Sequence, residues 1–144
     1  MTKTKVTRKI NAPIEKVFKT VADISQFSEA IPHIIKIEFL SDKKLGLGTR
    51  FRETRLMKGK ESSTELEVTE YVENDRIRLI SDTHGTIWDT VFTISLIDAG
   101  TELIMTMEAR SYKLIPKIMN PVIKGMIKKM IEIDMDYVKE FCET

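Results

Sequence analysis

The stretch NAPIEKVFKTVADISQF, residues 11–27, separates one short alternating segment from a long run of strand-like texture. Its reading decides the fold. Just before it, Val6, Arg8 and Ile10 fall on one side of an extended chain. Pro13 then suits the first turn of a helix, where its missing N–H costs nothing. Ile14, Val17, Phe18 and Val21 follow at helical spacing and form one apolar stripe. A helix of about ten residues is too short to stand alone, so it must dock on other structure. Asp23 and Ser25 interrupt it, and Ser25 is placed to cap a second short helix that carries Phe27 and Ile31. Pro32 ends that helix.

Beyond Pro32 the segments HIIKIEFL, TRFRETRLM, KESSTELEVTEYV, DRIRLISDTH, TIWDTVFTISLI and TELIMTMEAR read as strands. Turn residues join them at Lys58-Gly59, Asn74-Asp75, His84-Gly85 and Asp98-Ala99-Gly100. Joints this short make consecutive strands antiparallel neighbours. Trp88, Phe92, Ile94 and Leu96 share one side of their strand, and Leu103, Met105 and Met107 share a side of the last. The segment from Lys60 to Val72 would span about 40 Å at strand rise, which requires strong sheet curvature.

From Leu114 the periodicity becomes helical. Ile115, Met119, Val122, Ile123, Met126, Met130, Ile133, Tyr137 and Phe141 form a stripe, with Asn120-Pro121 as its start signal. The expected helix runs from Pro121 to Phe141 after an irregular preamble over residues 113–119. The fold class is therefore α+β: a curved seven-stranded antiparallel sheet gripping a long C-terminal helix, with two short helices after the first strand. The long helix covers the concave face, and the short pair plugs one end of the sheet. No linker or repeat divides residues 1–144, which read as one domain.

Composition removes several classes of function. The chain has 144 residues, 23 basic and 22 acidic, for a formal net charge of +1. That balance gives no footprint for a nucleic-acid partner. The N-terminus lacks an apolar signal core and no apolar run reaches membrane-spanning length, so stable membrane insertion is not expected. Cys142 is the only cysteine, so no intrachain disulfide can form. The chain reads as soluble and cytoplasmic, with its oligomeric state left open.

Candidate chemistry is sparse. His33 and His84 lack carboxylates at ligand spacing, so no metal site is expected, and His84 shares a solvent-facing side with Arg78 and Asp82. GLGTR lacks the strand-before, helix-after setting of a phosphate loop. No cofactor is implied. In RFRETRLM, one face carries Phe51, Glu53, Arg55 and Met57, and the other carries Arg50, Arg52, Thr54 and Leu56. The first is the more apolar and is placed inward; a shift of one residue would turn it to the sheet's outer side. Met105, Met107, Met119, Met126 and Met130, five of the eight methionines, fall on faces assigned to the interior. Asp134 borders the helical stripe near Tyr137 and is expected at its rim, because an isolated buried carboxylate is costly. Lys113, Lys117, Lys124, Lys128 and Lys129 give the first half of the helix a basic end that could meet an anionic ligand, a membrane surface or plain solvent.

The order of elements, with INAPIEKVFKTVADISQF, GLGTRFRETR, VTEYVENDRIRL, GTELIMTM and NPVIKGMIKKMIEIDMDYVKEF, resembles the START-like, helix-grip superfamily (SRPBCC), including bacterial polyketide cyclase/dehydratase-type proteins. The likeness covers nearly the whole chain. Many relatives carry a tryptophan in or just after the second short helix, where this chain has Phe27, Ile31 and Pro32. The resemblance implies a cavity between sheet and helix, here lined by Phe51, Glu53, Arg55, Met57, Trp88, Phe92, Met105, Met107, Met119, Met126, Met130 and Tyr137, with His33 at its mouth. It implies a small hydrophobic or amphipathic ligand: a lipid, an isoprenoid quinone or a polyketide-like aromatic. Two alternatives stand beside binding or transport. One is a cyclase/dehydratase with Glu53 or His33 as acid/base and Tyr137 as polarising donor. The other is an interaction module of the heat-shock ATPase activator type.

Overall fold

In the computed structural model, which describes residues 2–113 and 121–144, the elements follow the expected order. β1 (Thr2–Ile10) leads into α1 (Ile14–Ala22) and α2 (Ile24–Ala30). Then come β2 (Ile34–Phe39), β3 (Arg50–Met57), β4 (Lys60–Val72), β5 (Arg76–Thr83), β6 (Thr86–Ile97), β7 (Gly100–Ser111) and α3 (Pro121–Glu143). The expected cap at Asn120 and all of the expected preamble except Lys113 lie outside the described residues.

The seven strands form one antiparallel sheet in the order β1-β7-β6-β5-β4-β3-β2. β1 leaves its sequence neighbours and pairs with β7, and α1 and α2 carry the chain from it to β2 at the opposite edge of the sheet. Register irregularities at Ile34/Lys36 and Val68/Glu70 bend β2 and β4, which is how a 13-residue strand fits. Lys58-Gly59 and His84-Gly85 take positive φ at both residues, the twist that joins adjacent antiparallel strands through two residues. Gly100 has no substitute: a Cβ there would stand 2.4 Å from the Ile10 carbonyl oxygen. Beside it, the buried Thr101 hydroxyl donates to the Ala12 carbonyl at 2.7 Å, fixing the exit of β1.

Capping differs in detail from expectation. Pro13 stands at the N-cap of α1, just outside the helix, and its carbonyl accepts from the Val17 N–H. Asp23 rather than Ser25 caps α2, its carboxylate accepting the Ser25 N–H at 3.0 Å. Asp outcompetes Ser here because it lies two residues before the N–H it caps.

The sheet has two distinct ends. At one lie the β3–β4 and β5–β6 turns and the start of β1; this is the hairpin end. The other, far end holds the exit of β1 and the β6–β7 turn. Across the concave face, Val6, Met105, Phe92 and Ile77 align through the register and are all buried. α1 packs against β5, β6 and β7, while α3 lies closest to β1 and α1. Each aliphatic side chain buried there contributes roughly 1.5–3 kcal/mol. Leu96 shares the face of Phe92 and Ile94 but is exposed, contrary to its expected inward place, because it lies beyond the cover of the helices.

The face of α3 is the main correction. Its buried residues are Ile131, Asp134, Met135, Val138 and Cys142, with Ile127 packed against them. Met126 is 57% exposed and Met130 38%, so neither belongs to the expected packed stripe; Val122 and Ile133 are exposed too. The true stripe is rotated from the expected one by roughly a third of a turn, counting 100° per residue. Side chains at the helix margins set that rotation. Arg8 meets Asp136 at 2.7 Å, the Lys139 ammonium donates to the Lys9 carbonyl at 2.6 Å, and Glu143 accepts the Asn11 N–H at 2.9 Å. These contacts also hold the C-terminus of α3 at the far end, so its N-terminal half runs toward the hairpin end.

Candidate functional site

β3 brings the chemistry to α3. Alternation along RFRETRLM puts Phe51, Glu53, Arg55 and Met57 on the concave side, and a contact to the helix settles the register. The Arg55 guanidinium reaches both oxygens of Asp134, at 3.0 and 2.9 Å, and its Nε donates to Glu53. These side chains are 18, 11 and 12% exposed for Arg55, Asp134 and Glu53. Burial by itself would lower the Arg55 pKa; the charges of Glu53 and Asp134, and their hydrogen bonds, outweigh it and push it well above the ordinary value. Arg55 is therefore a fixed cation between two carboxylates, and the cluster has a formal charge of −1.

Asp134 is thus buried beneath the helix rather than at its rim, because Arg55 compensates a charge that would be costly alone. Tyr137, three residues further along α3, meets the His33 ring edge-on at 5.7 Å and 77°. His33 precedes Ile34, the β2 partner of Arg55, and its carbonyl accepts the Leu56 N–H at 2.8 Å. Glu53, Arg55, Asp134, Tyr137 and His33, scattered over more than a hundred residues of sequence, are gathered between β2, β3 and α3.

The other predicted residues separate by depth. Phe51, Phe92 and Met105 are buried in the core at the far end. Met57, Trp88 and Met107 are half-buried on the concave side towards the hairpin end, where the cover thins. Met126 and Met130 are exposed on α3, and Met119 lies outside the described residues. His84 is exposed in the β5–β6 turn. Thr4, Ser81 and Thr90 are also buried on the concave floor, Thr90 directly between Trp88 and Phe92 along its face. Strand alternation would have found them, but a search for apolar residues passes over hydroxyls. The Cys142 thiol is buried and donates to the Thr20 hydroxyl at 3.4 Å; burial raises its pKa, so it is a core side chain.

A second charged network occupies the convex face. Arg78 clamps Asp89 through two hydrogen bonds of 2.9 and 2.6 Å and reaches Glu70 at 2.9 Å, while Arg76 and Arg110 extend the chain of pairs. Arg78 holds the Asp89 carboxyl below the usual range against the opposing effect of burial. These charges satisfy one another across β4, β5, β6 and β7, which marks the network as a sheet brace. Among the described residues, no group of His, Cys, Asp and Glu is placed to hold a metal ion, and no helix is long and apolar enough to cross a membrane.

Comparison with known proteins places this geometry in context. The model of a family described as polyketide cyclase/dehydrase and lipid transport matches residues 1–143. TTHA0849 from Thermus thermophilus superposes with a TM-score of 0.80 at 17% identity, covering 98% of this chain and 97% of that one. A START superfamily protein from Mycobacterium smegmatis gives 0.79 at 16% identity over 98% and 97%. The di-domain ARO/CYC BexL from the BE-7585A biosynthetic pathway gives 0.80 at 16% identity, covering 99% of this chain and 50% of that one. At these identities the likeness establishes the helix-grip fold. No curated protein matches by sequence.

Proposed function

Since the chain belongs to the family described as polyketide cyclase/dehydrase and lipid transport, we propose that it binds, and in that way can carry, a small hydrophobic or amphipathic ligand between the concave sheet and α3. Lipids, isoprenoid quinones and polyketide-like aromatics are the ligand classes considered. The observation that carries this reading is the Glu53–Arg55–Asp134 cluster. Three charges stand between sheet and helix, partly accessible, at the edge of an apolar floor that includes half-buried Trp88 and Met107. Such a space favours a ligand with an apolar body and a polar group that can hydrogen-bond to the cluster. Phe51, Phe92 and Met105 would form its deep wall and Met57 its floor near the hairpin end. His33 and Tyr137 would stand at the mouth.

The test begins with native mass spectrometry of protein purified from its own host, which should reveal a co-purifying small molecule. An apolar fluorescent probe should bind the folded protein, and Met107→Trp should weaken that binding by filling the space. Overpacking in that variant costs about 1–3 kcal/mol of stability, so its fold is checked by its melting curve. A native protein that takes up no probe would overturn the reading.

A second reading is supported by the gathering of titratable groups at one point. Glu53 or His33 would act as acid/base and Tyr137 as hydrogen-bond donor to a substrate carbonyl, in a cyclase or dehydratase reaction. Glu53→Gln separates the two readings. A binder keeps its affinity for a neutral probe, whereas an enzyme loses on the order of a hundredfold or more in turnover.

A further inference from the structure

We propose that β2 pairs with β2 of a second copy, running in the opposite direction, so that two sheets join at their open edges. β2 is the last strand of the sheet and has β3 as its only strand neighbour. The Leu40 N–H donates to the Arg50 carbonyl at 2.7 Å. Alternation along the antiparallel ladder then turns the backbone groups of Glu38 and Lys36 towards Arg52 and Thr54 of β3, and those of Ile37 and Phe39 outward. Among the described residues, nothing pairs with these outward N–H and C=O groups. A row of unpaired backbone groups is a template for another strand.

The residues of β2 select that strand. Run antiparallel to itself about Ile37, the segment IIKIEF sets Ile37 opposite Ile37, Lys36 opposite Glu38 and Ile35 opposite Phe39. Each copy's Ile37 N–H would donate to the other's Ile37 carbonyl. Lys36 and Glu38 then meet at the flanking non-hydrogen-bonded positions, where opposed side chains approach most closely. Both side chains lie on the convex side, opposite Thr54 and Arg52, and are 63 and 39% exposed. Within one copy Glu38 is loosely held, 3.4 Å from Lys36 and 3.5 Å from Arg52, against 2.8 Å between Arg52 and Glu65. Ile37 and Phe39 are only half-buried, so the joint also covers apolar surface. The opposite edge shows the contrast. Exposed Lys3, Lys5 and Lys9 line the convex side of β1, so its self-pairing would set lysine against lysine, and Lys139 of α3 already takes the Lys9 carbonyl. On β2, shortness, the irregularity at Ile34/Lys36 and the charge of Lys36 discourage a foreign strand. Glu38, two residues on, makes the strand's own reverse copy the complementary one. Since Ile34 and Ile37 face Arg55 and Glu53 on β3, the seam would stand one strand from the charged cluster in each copy. The pairing needs no ligand, so it stands or falls apart from the cavity.

Sedimentation velocity of the full chain, from about 1 µM to about 1 mM, covers the weak range expected of so small an interface. A concentration-dependent dimer is expected. Lys36→Glu and Glu38→Lys, each alone, turn both symmetry-related pairs repulsive and should weaken the dimer roughly tenfold or more. Mixed in equal amounts, the two variants should associate with each other as the parent chain does with itself. The double variant Lys36→Glu/Glu38→Lys should dimerise likewise, because the same register again opposes unlike charges. Ile37→Pro removes an outward N–H that the sheet does not use, so it should abolish the dimer with little change in melting. Should that variant unfold, the charge variants at exposed positions still decide. A chain that stays monomeric throughout, single charge variants that dimerise like the parent, or a mixture that restores no association would overturn the proposal. So would self-association that Met126→Ser/Met130→Ser abolishes and the β2 variants leave untouched, since that would assign the contact to the exposed side of α3.

Discussion

Arg55→Met tests the cluster on which the functional reading rests. The substitution keeps much of the side-chain bulk but removes the cation paired with both Glu53 and Asp134, taking the formal charge of the cluster between β3 and α3 from −1 to −2. Breaking a buried ion pair from one side costs about 3–5 kcal/mol, because the remaining charges stay desolvated. Here the three side chains keep between a tenth and a fifth of their exposure, so a loss of about 2–4 kcal/mol is expected. For a domain of this size, each kcal/mol moves the midpoint by roughly 2–4 °C, giving a fall of about 5–15 °C. Thermal melts by circular dichroism, with urea titrations to convert the shift into free energy, supply the measurement. Arg55→Met/Glu53→Gln/Asp134→Asn should recover a large part of the loss, since no unpaired charge remains. A single variant melting within about 2 °C of the parent protein would refute the pairing, as would a triple variant no more stable than the single one.

Two further outcomes follow from burial and charge. Met135→Ala should cost about 2–5 kcal/mol as a core truncation, while Met130→Ala, at a partly exposed position, should cost far less; equal melting shifts would mean that the rotation of α3 is misassigned. On the convex face, Arg78 depresses the Asp89 pKa below its ordinary 3.8. The unfolded chain then binds a proton more readily, so the Asp89 contribution is present above about pH 4 and is lost as pH falls through the folded value. Asp89→Asn should accordingly flatten the acid limb of the stability profile below about pH 4, and an unchanged limb would reject the brace.

What the sequence reveals and what it hides divide along the distance between interacting residues. Turn chemistry is local: Lys58-Gly59, His84-Gly85 and Asp98-Ala99-Gly100 fix strand boundaries within a few residues, and antiparallel order follows from joints so short. Alternation is local as well, so Phe51, Glu53, Arg55 and Met57 share one face whatever their partners are. The face of α3 is not local. Its apolar residues cover a wide arc, and the periodicity supports a stripe through Met126, Met130 and Tyr137 as readily as one through Ile131, Met135 and Val138. The choice between them is made by Arg8, Lys9, Asn11 and Arg55, residues from the first half of the chain that engage Asp136, Lys139, Glu143 and Asp134. The burial of Asp134 is hidden for the same reason. A lone carboxylate belongs at a rim, and only a guanidinium 79 positions away makes a buried one tolerable. The candidate site is therefore the part of the molecule least readable from any single segment, because it exists only where β3 and α3 meet. Selection for the pairing of Arg55 with Asp134 would fix the helix rotation, the exposed methionine side and the polar end of the interior together, so a change at either residue should be felt in all three.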